Sequence, residues 1–572
     1  MKKTFLIYLL FLAIFSASCS SAILTTKTEE SGSANVSDVT PQSSETATEF
    51  SARFSAEKIP LPKAIEVSTA PKDVELAQRI DEIIEKSEFR NSRWGVFVTS
   101  LKDGRVLVAR DAQKTFNPAS TMKVVTTAVA LDRLGADFRW RTSVMAEKDI
   151  DANGNLNGDL ILYGRGAPDF DEPDVQNLIN QLKEKGLRRV SGNIVGDASG
   201  FQAANLGAGW VWEEAQWYYG AEPSALSYSD NTVLVEVVPS DKLDTPAEVK
   251  TTPEADFIKV SNQAMTKANA SAQTFGVHRD LDANNFQVWG EVPRGKSMGV
   301  RTTMHAPEIW AANDLKKALG KAGIAVEGTV KSVNWRTKEQ GAAANLKELA
   351  AVESDTLAEI VKRTNKHSIN LNAELMLRTI GRQARENEER ENSRKIVLGD
   401  DELGAMTIKN WLSGKGVELA DTVIHDGSGL SRLNFITPET MGRLLVFALQ
   451  SPARNAFIDS LPIAGTDGTL GGRLPKFKGR VVAKTGTITY VSGLAGYAQA
   501  ANGEQFSFVI FCNNETRPSE PTGIIDRIAA AIAEYPDWKS DDANSNANSN
   551  ANSNSQPNSN SGVENKNKSF LH

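Results

Sequence analysis

Hydrophobic positions along this chain change rhythm several times. Residues 74–89 repeat apolar side chains at helical spacing, which predicts an amphipathic helix. Residues 94–100 and 106–109 are strand-like runs around Lys102-Asp103-Gly104, a hairpin signal. The apolar run 124–131 follows Pro118, which favours a first helical turn, and ends before Gly135, so a helix is predicted there. From about residue 143 to about 333 the texture turns to short strand-like runs, such as 159–163 and 232–238, separated by Gly, Pro and Asn/Asp turns. Helical spacing returns at 354–365 and 372–385. Runs 481–485, 493–499 and 506–512 then read as three strands with hairpin-like spacing, and 523–534 as a last amphipathic helix. Strands at both ends, flanked by helices, predict one antiparallel sheet assembled from both ends of an α/β (α+β) chain. The middle is then an insertion of β-rich material, read as two subdomains.

The ends read differently. Met1-Lys2-Lys3 and the apolar run 5–15 make residues 1–19 a signal peptide, too short and wrongly flanked for a lasting transmembrane helix. Ser16-Ala17-Ser18-Cys19 resembles a bacterial lipobox with Cys19 as the lipid-bearing residue, although Ser16 stands where leucine is usual. Plain cleavage after Ser18 is the alternative. Residues 20–75 are rich in Ser, Thr, Glu and Ala without periodicity, a flexible linker. Residues 539–572 repeat Asn-Ser and Asn-Ala and read as a disordered tail. Between them lies one core domain in two parts, 76–142 and 334–538, interrupted by the insertion 143–333.

Composition narrows the function. The chain has 572 residues, 40% hydrophobic and 24% charged, enough for several core-forming units. A net charge of −7, with no basic cluster interleaved with aromatics, gives no support for nucleic-acid binding. With two cysteines, one in the export segment, no intramolecular disulfide is expected, and Cys512 reads as a small buried hydrophobe. The five histidines show no metal-ligand spacing, and neither H-E-x-x-H nor C-x-x-C occurs, so no metal or other cofactor is expected.

Three short stretches carry candidate chemistry. Ser120 and Lys123, at i and i+3 near the start of a helix, would share a face. A serine hydroxyl becomes a useful nucleophile when a base lies within hydrogen-bonding reach and backbone amides gather around the future oxyanion. A first-turn serine beside a solvated lysine is the plain alternative. In Lys484-Thr485-Gly486-Thr487, strand alternation places Lys484 and Gly486 on one face, and Gly486 leaves room for a substrate chain to lie along the strand. A protected edge strand is the plain reading there. Ser368-Ile369-Asn370 falls between two helical segments, a natural place to face a cleft. The same S-x-N pattern also occurs at Ser33, Ser191 and Ser229. The Ser229 match opens a strand within the insertion and is set aside.

Together, in this order, Ser120-Thr121-Met122-Lys123, Ser368-Ile369-Asn370 and Lys484-Thr485-Gly486 resemble the penicillin-binding-protein and serine β-lactamase superfamily. Asp426-Gly427-Ser428-Gly429-Leu430-Ser431-Arg432, the stretch from Leu461 to Leu470, and Ser224-Ala225-Leu226 resemble its class C, low-molecular-mass D-alanyl-D-alanine carboxypeptidases and endopeptidases. The likeness spans roughly residues 76–538 and implies two extra domains in the insertion.

By that resemblance Ser120 is the acylated nucleophile and Lys123 its base. Ser368 passes the proton to the leaving D-alanine, and Asn370 holds Lys123 and the substrate amide. Lys484, Thr485 and Thr487 bind the terminal carboxylate, Gly486 lines the strand, and the amides of Ser120 and Thr487 form the oxyanion hole. Arg432 touches the peptide side chain or is structural. The implied partners are peptidoglycan stem peptides and, as covalent inhibitors, β-lactams, in the bacterial periplasm or envelope, with Cys19 as a lipid anchor.

The sequence departs from the family at Ala167, where an aspartate associated with the diamino-acid amine is usual and for which Asp169 is the substitute at hand. Thr489 stands where a relative has glutamine. The aromatics Trp210, Trp212, Trp217, Tyr218 and Tyr219 read as packing between domains, with glycan stacking as the alternative. Rival readings are a β-lactamase or esterase on the same fold, for which no deacylating base is recognisable, and a non-catalytic wall-binding or penicillin-sensing module.

Overall fold

A computed structural model describes residues 65–538 except 256, 269–274, 339–345, 393–395, 418, 420 and 518–519. The export segment with Cys19, the linker up to residue 64 and the tail 539–572 lie outside the described residues. Two compact units are present, a smaller one within residues 234–300 and a larger one holding the other described residues.

In chain order the larger unit contains α1 (Pro71–Glu85), β1 (Arg93–Ser100), β2 (Val106–Arg110) and a 3₁₀ turn, Ala119–Thr121, that runs into α2 (Met122–Leu134). β3 (Arg141–Ala146), β4 (Leu160–Tyr163), α3 (Glu172–Glu184) and β5 (Ile194–Asp197) follow. After the smaller unit come α4 (Pro307–Lys321), β6 (Val330–Val333) and β7 (Lys347–Glu353). Five helices follow: α5 (Leu357–His367), α6 (Asn370–Asn392), α7 (Asp400–Gly414), α8 (Pro438–Gln450) and α9 (Arg454–Ser460). β8 (Val481–Ile488), β9 (Val491–Gln499), β10 (Gln505–Asn513) and α10 (Thr522–Glu534) complete it.

The main sheet runs β8-β9-β10-β1-β2, antiparallel at every step, so strands from the two ends of the chain meet at the β10–β1 pair. Alternation sorts its side chains. Val96 and Val98 of β1 and Phe508, Ile510 and Cys512 of β10 enter a core with Leu76, Ile80 and Ile84 of α1 and Ile525, Ile528 and Ile532 of α10. Burying those helices' apolar stripes on the sheet closes that face, at about 1.5–3 kcal/mol for each fully buried aliphatic side chain. Burial raises the Cys512 thiol far above its ordinary value, so it packs as a hydrophobe. Across the sheet, Phe97, Phe116 and Phe511 face the α2 and α8 side, where the Tyr497 hydroxyl donates to the Leu445 carbonyl.

A second five-stranded sheet has the order β6-β5-β4-β3-β7. β5 runs parallel to β4 and β6, while β3 is antiparallel to β4 and β7. It uses strands on either side of the proposed insertion limits, because β7 at residues 347–353 pairs with β3. Helices α3 and α4 also lie within that stretch, where the sequence suggested only short strands. α3 carries a full stripe, Val175, Leu178, Ile179 and Leu182 at i, i+3, i+4 and i+7, that the reading of this region as strands passed over, whereas in α4 the stripe is diluted by Ala311, Ala312 and Gly320. In the smaller unit, Asn285–Pro293 is the centre of a three-stranded sheet, parallel to Lys259–Lys267 and antiparallel to Gly276–Arg279.

Candidate active site

Ser120 lies on the 3₁₀ turn, two residues before the regular helix that begins at Met122. The turn is tight, with Ala119 at φ 46°, a left-handed conformation that costs a non-glycine residue energy. Asn117 holds it. Its Oδ1 accepts the Ala119 N–H at 2.9 Å, and its Nδ2 donates to the Ser431 carbonyl at 3.1 Å. Gly429, at φ 84°, closes over the same turn, and a Cβ there would stand 1.8 Å from the Ala119 oxygen. Only glycine fits.

Lys123 is fully buried, and its Nζ has three partners. These are Ser120 Oγ at 3.0 Å, Asn370 Oδ1 at 2.5 Å and the Ser428 carbonyl at 2.7 Å. Burial pushes its amine down to about 7, against the opposing charges of Asp426 and Glu374. Asn370 begins α6, and its Nδ2 donates to the Tyr219 carbonyl at 2.8 Å, which fixes the amide with Oδ1 toward the lysine.

Ser368 caps α5 in the left-handed region, φ 59°, and turns the chain into α6. Its Oγ accepts from Lys484 Nζ at 2.9 Å. Lys484 is also fully buried and donates to the Thr485 carbonyl at 2.9 Å. Burial, then the neighbouring Lys123, hold its amine well below the ordinary lysine value. The site thus contains two buried lysines, each bonded to a reachable serine hydroxyl.

β8 is the outer strand of the main sheet. Val481 and Ala483 spend their outward-facing groups on Ala464 and Pro462. By strand parity Thr485 and Thr487 turn their backbone groups to the same edge, beyond that covering segment. Thr487 is exposed, and Thr485 Oγ1 donates to Thr469 Oγ1 at 2.8 Å. Gly486 corrects the sequence reading of that residue. Its missing side chain admits the nucleophile turn rather than a substrate, since a Cβ would lie 2.8 Å from the Pro118 oxygen and 2.9 Å from the Thr121 nitrogen.

Arg432 donates from Nη1 to the Thr489 carbonyl at 2.6 Å, so it ties the D-G-S-G-L-S-R loop to the β8–β9 hairpin. Its charge acts on Glu214, whose carboxyl is raised by burial and lowered by Arg432. Asp169, the substitute at hand for an acid at Ala167, has partners of its own. It pairs with Arg363 at 3.3 Å and accepts the Asp355 N–H at 2.8 Å. Glu214 is an acid that feels the charge of Arg432, and no motif in the sequence spoke for it.

Asp426 organises the loop and was legible only as part of a family motif. It accepts from Gly429 N, Ser431 N, Ser428 Oγ, Asn434 Nδ2 and Trp210 Nε1. Trp210 is therefore a packing residue, whereas Trp212 and Tyr218 are exposed, at 65% and 60%. Ser229-Asp230-Asn231 forms a turn in which Asn231 Nδ2 bonds the Glu222 carbonyl and Ser227, a structural use of the S-x-N pattern.

A buried lysine on a serine hydroxyl, opposite a second pair made by Ser368 at a helix junction and Lys484 on the outer strand of an antiparallel sheet, defines a serine acyl-transfer enzyme of the penicillin-interacting kind. The comparisons with known proteins agree. The D-Ala-D-Ala carboxypeptidase 3 (S13) family model matches residues 76–535. The D-alanyl-D-alanine carboxypeptidase of Actinomadura sp. (strain R39) is 32% identical over 479 residues, 81% of this chain and 85% of that protein. The D-alanyl-D-alanine carboxypeptidase DacB of Haemophilus influenzae is 29% identical over 433 residues, 74% of this chain and 85% of that one. The crystal structure of penicillin binding protein 4 (dacB) from Haemophilus influenzae superposes with a TM-score of 0.67 at 25% identity, covering 82% of this chain and 99% of that one. The chain belongs to the D-Ala-D-Ala carboxypeptidase 3 (S13) family and is a serine-type D-Ala-D-Ala carboxypeptidase.

Proposed function

We propose that this enzyme trims the D-Ala-D-Ala ends of peptidoglycan stem peptides through an acyl-enzyme on Ser120, with Lys123 as the base. The observation that carries the assignment is the set of partners on Lys123 Nζ. A neutral amine has two protons and one lone pair. Asn370 Oδ1 and the Ser428 carbonyl can only accept, so they take the two protons, and the lone pair is left facing Ser120 Oγ. Burial supports the neutral form by bringing the amine to about 7.

In the first step Ser120 Oγ bonds the carbonyl carbon of the penultimate D-alanine and passes its proton to Lys123. The oxyanion rests on the amides of Ser120 and Thr487. Ser368, bonded to Lys484, relays a proton to the nitrogen of the terminal D-alanine as the C–N bond breaks. Two adjacent buried lysines do not both stay protonated, so a proton moves easily through this pair. Lys484, Thr485 and Thr487 meet the substrate carboxylate. Water then cleaves the ester and frees Ser120.

D,D-endopeptidase action follows from the same chemistry, because a D-Ala–diamino-acid crosslink also carries a carboxylate on the D-centre beside its scissile amide. Arg432 is assigned to hold the hairpin at the rim of this site. The domain plan proposed with it keeps catalytic parts at 76–142 and 334–538 around an insertion at 143–333, with β7 at 347–353 joining the insertion's sheet through β3.

A β-lactam acylates Ser120 in the same way, but its leaving amine stays tethered. Among the described residues no carboxylate bonds Ser120 or Lys123, so no group is placed to drive rapid deacylation. Intact-protein mass after brief exposure to a penicillin is expected to show one lasting adduct. Rapid drug hydrolysis without an adduct would favour the β-lactamase reading, and neither outcome in folded protein would favour an idle wall-binding module.

The enzyme is proposed to work in the bacterial envelope after export. Among the described residues no helix is long and apolar enough to cross a membrane. Attachment is assigned to a lipid on Cys19, and the Ser16-Ala17-Ser18-Cys19 sequence supports it. Full-length protein expressed in bacteria is expected to partition into detergent, and Cys19→Ala to release it. Equal partitioning of the two would leave simple cleavage.

A further inference from the structure

Helix α6 reaches the catalytic lysine twice. Its first residue, Asn370, bonds Lys123 directly. One turn along, on the same face, Glu374 is fully buried and reaches the loop behind the lysine. Glu374 Oε1 accepts the N–H of Gly427 at 2.8 Å and the N–H of Ser428 at 2.9 Å. The carbonyl of that same Ser428 accepts from Lys123 Nζ at 2.7 Å. The two acceptors that orient the amine therefore hang from one helix, Asn370 by direct contact and Ser428 by way of Glu374.

We propose that Glu374 is a positioning residue for the Lys123 base: it pins the Gly427–Ser428 amides, so that the Ser428 carbonyl fixes one proton of the neutral amine and its lone pair stays on Ser120. The inference rests on the assignment of Lys123 as base and goes beyond it, because Glu374 touches neither substrate nor Ser120. Asp426 organises the loop from within, through Gly429, Ser431 and its own neighbour Ser428 Oγ. Glu374 is what ties that loop to the helix bearing Asn370.

The surroundings suit a group that holds without competing for the proton. Asp426 in the loop, Arg378 on the same helix and Lys123 on α2 are the charged groups that act on it, and Asp400 and Asp401 of α7 act on Arg378. Burial, then Asp426, raise the Glu374 carboxyl to about 8. It is therefore largely uncharged near neutral pH, which leaves Asp426 as the anion acting on Lys123.

The test measures penicillin acylation per titrated active site, against pH and drug concentration, in the full enzyme. Glu374→Ala frees the loop, and the acylation rate constant is expected to fall ~100-fold, the scale of a roughly 1 Å misplacement of a reacting group. The drug concentration at half-saturation is expected to stay as in the wild type. With the Ser428 acceptor loosened, the ammonium loses a partner, so the acid limb of the pH profile moves to lower pH. A merely structural role would lower the number of titratable sites and leave both the rate per site and the limb unmoved.

Glu374→Gln retains an oxygen that can accept both amides and is expected to acylate within ~3-fold of wild type, a conservative rescue. Where Glu374→Ala does not fold, Glu374→Asp, one methylene short of the amides, carries the same expectation of slowed acylation per site. Wild-type acylation in a folded Ala or Asp variant, or a Gln variant as slow as Ala, overturns the proposal. Failure of the wild type itself to acylate would instead strike the Lys123 assignment.

Discussion

Ser120→Ala is expected to abolish the penicillin adduct and to lower D-alanine release by a factor of ~10⁵–10⁶, the scale seen when a covalent nucleophile is removed from its set. The fold should survive. The Ser120 hydroxyl is bonded to Lys123 alone among the described residues, and the turn that carries it is held by Asn117 and Gly429. Lys123 retains Asn370 and Ser428. Substrate contacts along β8 do not involve the Ser120 side chain, so peptide affinity should change little while kcat collapses. Equilibrium binding of a D-Ala-D-Ala peptide, intact-mass analysis and D-alanine release together check this. A persistent adduct on the variant would move the nucleophile to Ser368, the other reachable hydroxyl with a lysine at 2.9 Å, and Ser368→Ala would then remove it. Loss of peptide binding in parallel with catalysis would mean that Ser120 supports the cleft rather than the chemistry.

The architecture was legible where periodicity and punctuation agreed. The helix at α2 stands between its 3₁₀ turn and Gly135, and the strands β8, β9 and β10 extend the sequence estimates by a few residues each. The joining of chain ends in one sheet followed from hairpins at both ends, and the β10–β1 register from Arg93↔Asn513 to Ser100↔Phe506 realises it. Helices α7 and α8 were missed, the first by reason of its composition. α7 opens on Asp400, Asp401 and Glu402 and includes Gly404, which docks on the Leu377 carbonyl of α6 where a Cβ would stand 2.2 Å away. α8 does carry a stripe, Met441, Leu444, Leu445 and Ala448 at i, i+3, i+4 and i+7 with Glu439, Arg443 and Gln450 opposite, and the reading of the sequence passed over it.

The candidate site was legible in the residues its motifs name and opaque in their supports. Ser120, Lys123, Ser368, Asn370 and Lys484 come from three motifs whose residue types the chemistry demands. Asn117, Asp426 and Glu374 serve backbone amides in the surrounding turn and loop, and nothing local in a sequence states which amide a distant carboxylate will meet. Gly486 shows the same limit. Its small size was read as space for a ligand, whereas the space is taken by the Pro118–Thr121 backbone that presents the nucleophile.

Lys123→Met is expected to slow acylation by ~10²–10⁴, the range for loss of a well-placed general base. Methionine fills the buried channel but leaves the Asn370 and Ser428 acceptors without their donor, at about 1–3 kcal/mol for each unpaired group, so some stability is lost as well. Rates are therefore to be read per folded enzyme. The sign of the pH dependence separates base loss from this structural cost. Burial has lowered the Lys123 amine from 10.5 to about 7, so the wild type is active above that value and loses acylation as pH falls through it and the ammonium forms. Well below it the rate should drop tenfold per pH unit, and the apparent midpoint belongs to Lys123 and Lys484 together. The residual activity of Lys123→Met should be slow at every pH and lack this limb. A limb that persists in the variant would assign the titration, and the base, to Lys484. A wild-type limb near pH 10 would mean an ordinary, solvated lysine, and the lone pair on which the mechanism depends would be absent at physiological pH.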